Sequence, residues 1–311
     1  MENDIEKLQE LLQSDPSNFQ ARRELSILLA DRGFNEEALS NLEYLTKYFP
    51  EDAELQYNLG ILYEKLKNFD KAETAYKKAI EISPQEDFYY NLGEVLVSEK
   101  KWDEAIDAFK KVLKDDPKDG NCYFNLGLCY FNKEEMNLAT DNFQQAVNLN
   151  PQDLYAHFYL GNIYQNNGLT NFAEESYKKV LTISPDYSWA YFNLASIAYK
   201  NENLELAKEY LLKTIEYNKN DIEAYKLLTK ISMKLEEVEE IITLLETRLD
   251  EEDNENGDLY YILAQVYKQI GDNEQYAENL ENALEESLTL TYPRNIVEQE
   301  YKYIEAQLDA E

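Results

Sequence analysis

Prolines recur at almost constant spacing through the first two thirds of this 311-residue chain. They are separated by 34, 34, 33, 34 and 34 residues and stand at Pro16, Pro50, Pro84, Pro117, Pro151 and Pro185. Small residues keep the same register: Gly60, Gly93, Gly127, Gly161 and Ala195 each lie twelve residues before an alanine. Small residues let two helices cross closely, and proline cannot continue a helix. The spacing therefore predicts an array of helix pairs, each ended by a proline.

The pattern within one period resembles the tetratricopeptide repeat (TPR) family, whose units are helix-turn-helix segments of 34 residues. The second repeat shows the whole pattern, in Leu59, Gly60, Tyr63, Ala72, Tyr76, Ala79 and Pro84. This resemblance implies an all-α fold, a right-handed superhelical solenoid of helix-turn-helix repeats.

Eight repeats and two capping helices account for nearly the whole chain. We expect an N-terminal capping helix in residues 1–16, eight repeats in residues 17–290 and a C-terminal capping helix in residues 291–311. The repeats are expected to start near Phe19, Ala53, Glu86, Gly120, Leu154, Ser188, Ile222 and Gly257. Thr229 and Ile241 replace the small residues in the seventh repeat, and Tyr276 replaces the alanine in the eighth. Wider helix crossings are therefore expected in both.

The charge of the chain limits its partners. With 62 acidic and 30 basic side chains the net charge is -32, so the average surface repels nucleic-acid phosphates and anionic lipid. Neither nucleic acid nor membrane is an expected partner. Such a charge commonly serves solubility, and a preference for basic partners or an adaptation to unusual salt would also fit it.

The start of the chain and its cysteines indicate a cytoplasmic location. The opening "MENDIEKLQELLQSDP" has neither a cationic start nor an apolar core, so we expect no signal peptide, and no apolar run is long enough to span a bilayer. Cys122 and Cys129 lie seven residues apart in one predicted helix, about 10.5 Å along its axis, beyond the roughly 7 Å that a disulfide spans. Both are expected to be core thiols.

The tetrapeptide "YNLG" at residues 57–60 returns in similar form in four later repeats. Helical spacing places its leucine and glycine on the packed side and Tyr57 and Asn58 on the opposite arc. By resemblance to the family, that arc lines a concave groove that binds a ligand. Asn58, Asn91, Asn125 and Asn193 form a row along it, similar to the asparagine ladder of O-GlcNAc transferase repeat arms, which binds the backbone of extended peptides. Asparagine is also simply common at this position in the family.

The predicted groove changes character along the chain. Its early repeats are acidic, its middle is aromatic and neutral, and its end is basic. Besides the four asparagines, the candidate peptide-binding residues are Tyr57, Tyr90, Phe124, Phe131, Tyr155, Phe158, Tyr159, Asn162, Trp189, Phe192, Tyr199, Lys200, Lys226, Lys230 and Lys234. Two alternatives stay open. The aromatic rings can pack on one another between repeats, and the lysines of the seventh repeat can pair with Glu223 and Glu237.

Other chemistry finds little support in the sequence. The residues that form the carboxylate clamp of chaperone-binding TPR domains are not present at the corresponding positions. Ile27 stands where the first asparagine of the clamp belongs, and Asp87 stands where a lysine belongs. His157, the only histidine, occupies a position where Tyr123 and Tyr191 stand in neighbouring repeats, so we expect it to replace a tyrosine in packing. The acidic run 250–258 lacks the ligand order of a calcium loop and is expected to be an exposed loop. Neither a metal nor another cofactor is expected.

The sequence thus favours a non-enzymatic scaffold or adaptor that binds an extended peptide or protein segment in its groove. Two alternatives are a self-associating structural scaffold and a substrate-selecting accessory subunit of an enzyme complex. Homo-oligomerisation is compatible with either.

Overall fold

The structure is a computed structural model that describes residues 2–251 and 256–309. The chain divides into two compact units, Met1–Leu160 and Gly161–Glu311, referred to below as unit 1 and unit 2. Every regular element described is an α-helix, so the chain is an all-α helical repeat solenoid. The boundary between the units falls inside one of these helices, Leu154–Asn166.

Unit 1 contains a single first helix followed by helix pairs. Its helices are α1 Glu2–Ser14, α2 Phe19–Asp31, α3 Asn35–Thr46, α4 Ala53–Lys65, α5 Phe69–Ile82, α6 Glu86–Ser98, α7 Trp102–Asp115, α8 Gly120–Asn132, α9 Met136–Leu149 and the start of α10 Leu154–Asn166. Within the unit α4 contacts α6 and α6 contacts α8, so the first helices of successive pairs pack on one another.

Unit 2 continues the same pattern from the end of α10. Its helices are α11 Thr170–Ile183, α12 Ser188–Lys200, α13 Leu204–Tyr217, α14 Ile222–Lys234, α15 Val238–Leu249, α16 Gly257–Ile270, α17 Asn273–Glu285 and α18 Arg294–Leu308. The last helix, α18, packs on α17 and buries Val297 and Ile304, which covers the apolar face that an end repeat would otherwise expose.

An aromatic ring on the second helix fills the space beside each repeat glycine. A Cβ atom added to Gly60 would lie 2.4 Å from the ring of Tyr76, and one added to Gly127 would lie 2.7 Å from Phe143. Gly93 and Gly161 meet Phe109 and Tyr177 in the same way. Where Ala195 replaces the glycine, the residue sixteen positions later is Leu211, which has no ring. Glycine and aromatic residue thus form one packing unit.

The turn inside each pair holds one residue in the left-handed conformation. Three of these positions are glycines, Gly33, Gly168 and Gly271. The others are Lys67, Lys100, Glu134, Glu202 and Glu236, with φ between 58° and 62°. This conformation satisfies carbonyl groups at the helix end, as in the bond from the Asn68 N–H to the Tyr63 oxygen at 2.8 Å.

The seventh and eighth repeats, which depart from the sequence pattern, differ from each other in packing. The helices α14 and α15 pack less extensively than the regular pairs, as expected for the seventh repeat, whereas α16 and α17 pack as extensively as the regular pairs. The expectation of a wider crossing in the eighth repeat is therefore wrong. Ala264 supplies a small residue at the crossing, and the buried Tyr276 donates its hydroxyl to Glu300 of α18 at 2.6 Å.

The acidic run is only partly an exposed loop. Residues 252–255 lie outside the described residues, but Gly257 and Asp258 begin α16 and are buried, so the loop expectation is wrong for them. The Asp258 carboxylate accepts bonds from the Thr291 backbone N–H at 2.7 Å and from its hydroxyl at 2.8 Å. Asp258 therefore anchors the segment that leads to α18.

Candidate functional site

Hydrogen bonds between successive first helices link the tyrosines and asparagines of unit 1. The amide of Asn91 on α6 donates to the Tyr57 hydroxyl on α4 at 2.8 Å, and the amide of Asn125 on α8 donates to the Tyr90 hydroxyl on α6 at 3.2 Å. The Tyr57 ring also stacks on Phe88, with ring centres 4.5 Å apart. All four linked side chains are half-buried. The bonds use one amide hydrogen each and hold the side chains in fixed orientations.

The row of asparagine–tyrosine hydrogen bonds ends where no tyrosine hydroxyl is present to accept one. In the fourth repeat the tyrosine position is Phe124, which has no hydroxyl, and in the fifth repeat the asparagine position is Tyr159. The Tyr159 ring stacks on Phe143 at 5.1 Å with an interplanar angle of 6°, and lies 6.1 Å from Phe124 and 5.2 Å from Phe131. An aromatic cluster therefore replaces the polar link.

Acidic side chains lie beside this row. The Tyr76 hydroxyl donates to Glu64 at 2.9 Å. Burial raises the pKa of Glu94, and the nearby Glu64 carboxylate raises it further. Burial and the charge of Asp87 likewise raise the pKa of Tyr57, against the lowering effect of the Asn91 hydrogen bond. This face of unit 1 is thus electrostatically negative.

Several candidate residues do not belong to the hydrogen-bonded row. Asn58 is half-buried on α4, next to Tyr57 in the sequence. The ring centres of Phe158 and Tyr159 are 6.4 Å apart. Tyr155 is 59% exposed near the start of α10.

In unit 2 the candidate asparagines form different hydrogen bonds from those in unit 1. Asn162 accepts a bond from the Tyr177 hydroxyl at 2.8 Å, and Asn193 donates to the backbone oxygen of Trp189 at 2.9 Å, one turn earlier in its own helix. Trp189 is 55% exposed, whereas Phe192 is half-buried against the core. The four predicted ladder asparagines therefore do not share one bonding pattern.

Two of the three lysines of α14 lie against the same aromatic ring. The Nζ atoms of Lys230 and Lys234 lie 5.4 and 4.9 Å from the centre of the Tyr199 ring. Lys226 pairs with Glu223 at 2.8 Å and lies over the Tyr292 ring at 4.6 Å. The expected pairing with Glu223 is thus present for Lys226, but Glu237 pairs with Lys208 of α13 at 2.6 Å. Lys200 is exposed in the last turn of α12.

A cleft of about 550 Å³ lies beside these lysines, between α14 and α16. Gln265 and Gln269 of α16 and Tyr292 before α18 also line it. These three residues are not among the candidates predicted from the sequence. Periodicity could have indicated the glutamines, which are one turn apart on a first helix, but Tyr292 lies in a segment outside the repeat pattern.

The expected replacement of a tyrosine by His157 is confirmed. Its Nε2 atom lies 3.2 Å from the Pro151 carbonyl oxygen, six residues earlier. Tyr123 and Tyr191 donate their hydroxyls to Pro117 and Pro185 over the same separation, at 3.4 and 3.1 Å. His157 therefore binds the turn between repeats, as the tyrosines do.

The described residues contain no cluster of three or more histidine, cysteine, aspartate or glutamate side chains suited to a metal ion. Cys122 and Cys129 are both buried free thiols, as expected, and burial raises the pKa of Cys129 to about 12. Within the part of the chain that is described, no helix combines the length and apolarity that a membrane span needs.

Family models match most of the repeat array. Models described as tetratricopeptide repeat match residues 24–87, 170–231, 120–153 and 257–288, and one described as TPR repeat matches residues 93–134. The chain belongs to the tetratricopeptide repeat family. No curated protein matches this TPR chain significantly.

Solved structures of other TPR proteins share the fold. MamA from Desulfovibrio magneticus RS-1, from residue 41 onward, is 27% identical with a TM-score of 0.53, over 55% of this chain and 97% of that one. YrrB, described as a TPR protein with an unusual peptide-binding site, is 28% identical with a TM-score of 0.51, over 59% and 95%. A tetratricopeptide repeat protein from Parabacteroides merdae ATCC 43184 is 16% identical with a TM-score of 0.54, over 81% and 98%, and supports the fold alone.

Proposed function

We propose that this TPR protein is a non-enzymatic scaffold or adaptor that binds an extended peptide segment on the first-helix face of unit 1. The observation that carries the proposal is the hydrogen-bonded row from Tyr57 to Asn125 across α4, α6 and α8. Side chains held by such bonds lose little further freedom when a ligand binds, which favours affinity. The similarity to YrrB, with its peptide-binding site, supports the same reading.

The amides and the rings have separate roles in this proposal. The amide of Asn125 keeps one N–H and its carbonyl oxygen for a peptide backbone, whereas Asn91, whose amide also interacts with Tyr76, keeps its carbonyl oxygen. A net contribution of about 0.5 to 1.5 kcal/mol per hydrogen bond is small beside the roughly 8 kcal/mol of micromolar binding. Aromatic side chains such as Phe124 and Phe158 must therefore supply most of the affinity. The acidic groups beside the row favour a basic ligand segment.

Peptide selection followed by titration tests this proposal. A library of unstructured peptides is selected on the full chain, and the affinity of a labelled hit is measured by fluorescence anisotropy. We expect the Phe124→Ala, Phe158→Ala double variant to bind at least about tenfold more weakly, and the Asn91→Ala, Asn125→Ala double variant to bind more weakly by a smaller factor.

Matched controls lie on second helices. Phe172→Ala removes an exposed aromatic side chain of α11, and Asn142→Ala removes an exposed amide of α9 that bonds the Leu138 oxygen. Both controls should bind the peptide as the wild type does, and circular dichroism verifies folding. Unchanged affinity in both double variants would refute the proposed face.

Self-association is a second candidate because α18 exposes apolar side chains. Tyr303 is 66% exposed and Ile296 is 44% exposed, on the helix that ends the array. Apolar exposure at the end of a helical array is a surface that a second copy can cover. Light scattering over a concentration series tests this candidate: a mass that stays at one chain, or a mass that Ile296→Ser with Tyr303→Ser leaves unchanged, excludes it.

A further inference from the structure

A cleft of about 710 Å³ lies between the second helices α13 and α15 of unit 2. It is larger than the cleft between α14 and α16, which is about 550 Å³. Its apolar part is formed by Leu212 and Ile215 of α13 and by Leu244 of α15, and the buried Tyr225 of α14 also lines it. The candidate peptide-binding residues lie on first helices, so this cleft is a separate surface.

The surface around this cleft lacks charges that the preceding repeats carry at the same positions. Leu212 is 37% exposed, and Thr243 and Thr247 are exposed on α15. The residues 34 positions earlier are all charged: Lys178, Glu209 and Lys213. In a chain in which 30% of the residues are charged, three uncharged side chains around one cleft indicate a surface that a partner covers.

Arg248 anchors one end of the cleft. The other second helices of unit 2 have smaller side chains at its position, namely Val180, Thr214 and Ala283. The Arg248 guanidinium donates to the Lys219 backbone oxygen at 3.2 Å, to the Asn220 side-chain oxygen at 3.0 Å and to Glu251 at 2.7 Å. Only 11% of its side chain is exposed. The cleft is therefore held by bonds that exist before a partner binds, which lowers the entropic cost of binding.

The cleft fits a helix better than an extended chain. Its lining on α15 covers three successive turns from Glu239 to Arg248, about 13.5 Å at 1.5 Å per residue. The side chains of Leu212, Ile215 and Leu244 offer no hydrogen-bonding atoms, and the backbone of both walls is bonded within helices. An extended segment buried here would leave its own N–H and C=O groups unpaired, whereas a helix satisfies them internally.

The charges of the lining favour a basic partner. Four carboxylates face two cationic groups, and these six side chains are Glu216, Glu239, Glu240, Glu251, Lys219 and Arg248. Both cationic groups already pair with Glu251. Glu240 pairs with Lys208, but that lysine also pairs with Glu237. The start of α15 thus has an excess of negative charge, which the net charge of -32 reinforces.

We propose that the cleft between α13 and α15 binds an amphipathic helix of another protein, whose apolar stripe of about three turns is flanked by lysine or arginine. Leu212, Ile215 and Leu244 contact the stripe, and Glu239 and Glu240 attract the basic side chains. The site goes beyond the proposed function and shares no residue with the first-helix face of unit 1. A chain with both sites can hold two partners at once.

A displayed peptide library tests this proposal on the full-length protein. Its members are about four helical turns long, with lysine at the polar positions of a helix and random apolar residues on the opposite face. The affinity of a labelled hit is then measured by fluorescence anisotropy for wild type, Leu212→Lys and the control Leu169→Lys. Leu169 is an exposed leucine outside the cleft. Other repeats have Lys178 and Lys101 at these two positions, so both variants should fold, which circular dichroism verifies.

The two variants separate a site from general attraction, because both add one positive charge and remove one exposed leucine. We expect Leu212→Lys to weaken binding at least about tenfold and Leu169→Lys to change it less than about twofold. Equal effects of the two variants, or a selection without any hit that Leu212→Lys weakens, would overturn the proposal.

Two altered forms of the hit test the chemistry of the partner. A form with glutamate in place of lysine should bind at least about tenfold more weakly, because the lining is acidic. A form with a central proline should lose as much, because proline interrupts the helix. Undiminished binding of the first form would overturn the basic partner, and undiminished binding of the second would overturn the helix.

The methyl groups of Ile215 supply a local readout. Their resonances in 13C-methyl protein are assigned with Ile215→Val and followed during titration with the hit. We expect them to shift while those of Ile183 on α11 stay in place. Unshifted Ile215 resonances at saturation would overturn the assignment to this cleft.

A second copy of the chain and failure of the proposed function give different results. Light scattering should find the same mass for wild type and Leu212→Lys, whereas a wild-type dimer that Leu212→Lys dissociates would overturn the assignment to another protein. The Phe124→Ala, Phe158→Ala double variant should bind the helical hit as the wild type does. Refutation of the unit 1 face therefore leaves this cleft standing, and the loss of the cleft leaves the unit 1 face standing.

Discussion

The side-chain amide of Asn91 donates a 2.8 Å hydrogen bond to the hydroxyl of Tyr57, 34 residues earlier and on the preceding first helix. Asn91, one of the asparagines that the sequence predicts to bind a ligand, therefore also joins neighbouring repeats. The same pairing recurs between Asn125 and Tyr90, and it ends where Phe124 offers no hydroxyl.

Removing the Tyr57 hydroxyl should destabilise the protein. We expect Tyr57→Phe to lower the free energy of unfolding by about 1 kcal/mol, because the half-buried Asn91 amide loses a partner. Asn91→Ala should cost a similar amount, and the double variant less than the sum, since both changes remove one bond. Urea unfolding measures all three, and strict additivity would show that the bond contributes nothing.

The pairing of glycine with an aromatic ring predicts a rescue. Gly127→Ala places a methyl group against Phe143, so we expect a net loss of about 1 to 2 kcal/mol despite the better helix propensity of alanine. Adding Phe143→Leu should recover most of it, because Ala195 and Leu211 form the natural version of that pair. Thermal unfolding of the single and double variants tests this; Phe143→Leu alone, which leaves space beside Gly127, should be destabilised.

Non-glycine residues in the left-handed turns offer stabilising changes. Lys67 and Glu202 have φ values of 58° and 60°, which cost about 1 kcal/mol in an L-residue. We expect Lys67→Gly and Glu202→Gly each to raise the free energy of unfolding by about 0.5 kcal/mol, because relief of strain exceeds the added freedom of the unfolded chain. Gly33→Ala is the reverse control and should destabilise. A decrease in stability on Lys67→Gly and Glu202→Gly would contradict the strain argument.

Glu73 predicts a specific pH dependence. Burial alone would raise its pKa, but Lys101 and Lys77 lower it from 4.5 to about 2. A lowered folded-state pKa gives stability that is complete above about pH 5 and is lost as the pH falls from about 4.5 towards 2. Glu73→Gln should therefore cost about 1 kcal/mol at neutral pH and progressively less in acid.

Unfolding of wild type and Glu73→Gln, measured from pH 7 to pH 3, tests this window. The control is Glu104→Gln, whose more exposed carboxylate contacts Lys77 at 3.1 Å and should matter less. A difference between wild type and Glu73→Gln that stays constant down to pH 3 would rule out the lowered pKa.

Asp258 should hold the segment before α18 in place. Asp258→Ala leaves the Thr291 backbone N–H without its buried acceptor, so we expect a loss of about 2 kcal/mol and faster amide hydrogen exchange in α18. Asp258→Asn keeps one acceptor and should lose less. Glu285→Ala, at an exposed site on α17, is the control. Unchanged exchange in α18 of Asp258→Ala would show that the anchor is dispensable.

The repeat and its packed side could be predicted from the sequence because each depends on local spacing. Proline cannot continue a helix and recurs about every 34 residues, and helical spacing within one repeat places Leu59 and Gly60 on the same side, so fold class and buried face follow from residue order. The role of His157 could also be predicted, since neighbouring repeats supply tyrosines for comparison.

Only the tertiary structure decided which polar side chains bond each other. Whether Asn91 reaches Tyr57 depends on the distance between two helices 34 residues apart, and Glu237 meets Lys208 rather than Lys234 because two helices pack together. The sequence predicts that Asp258 lies in an exposed loop, whereas in the structure its carboxylate accepts a hydrogen bond from Thr291. Periodicity along a chain fixes the direction of a side chain from its own helix axis, whereas the partner it meets is set by the placement of other helices.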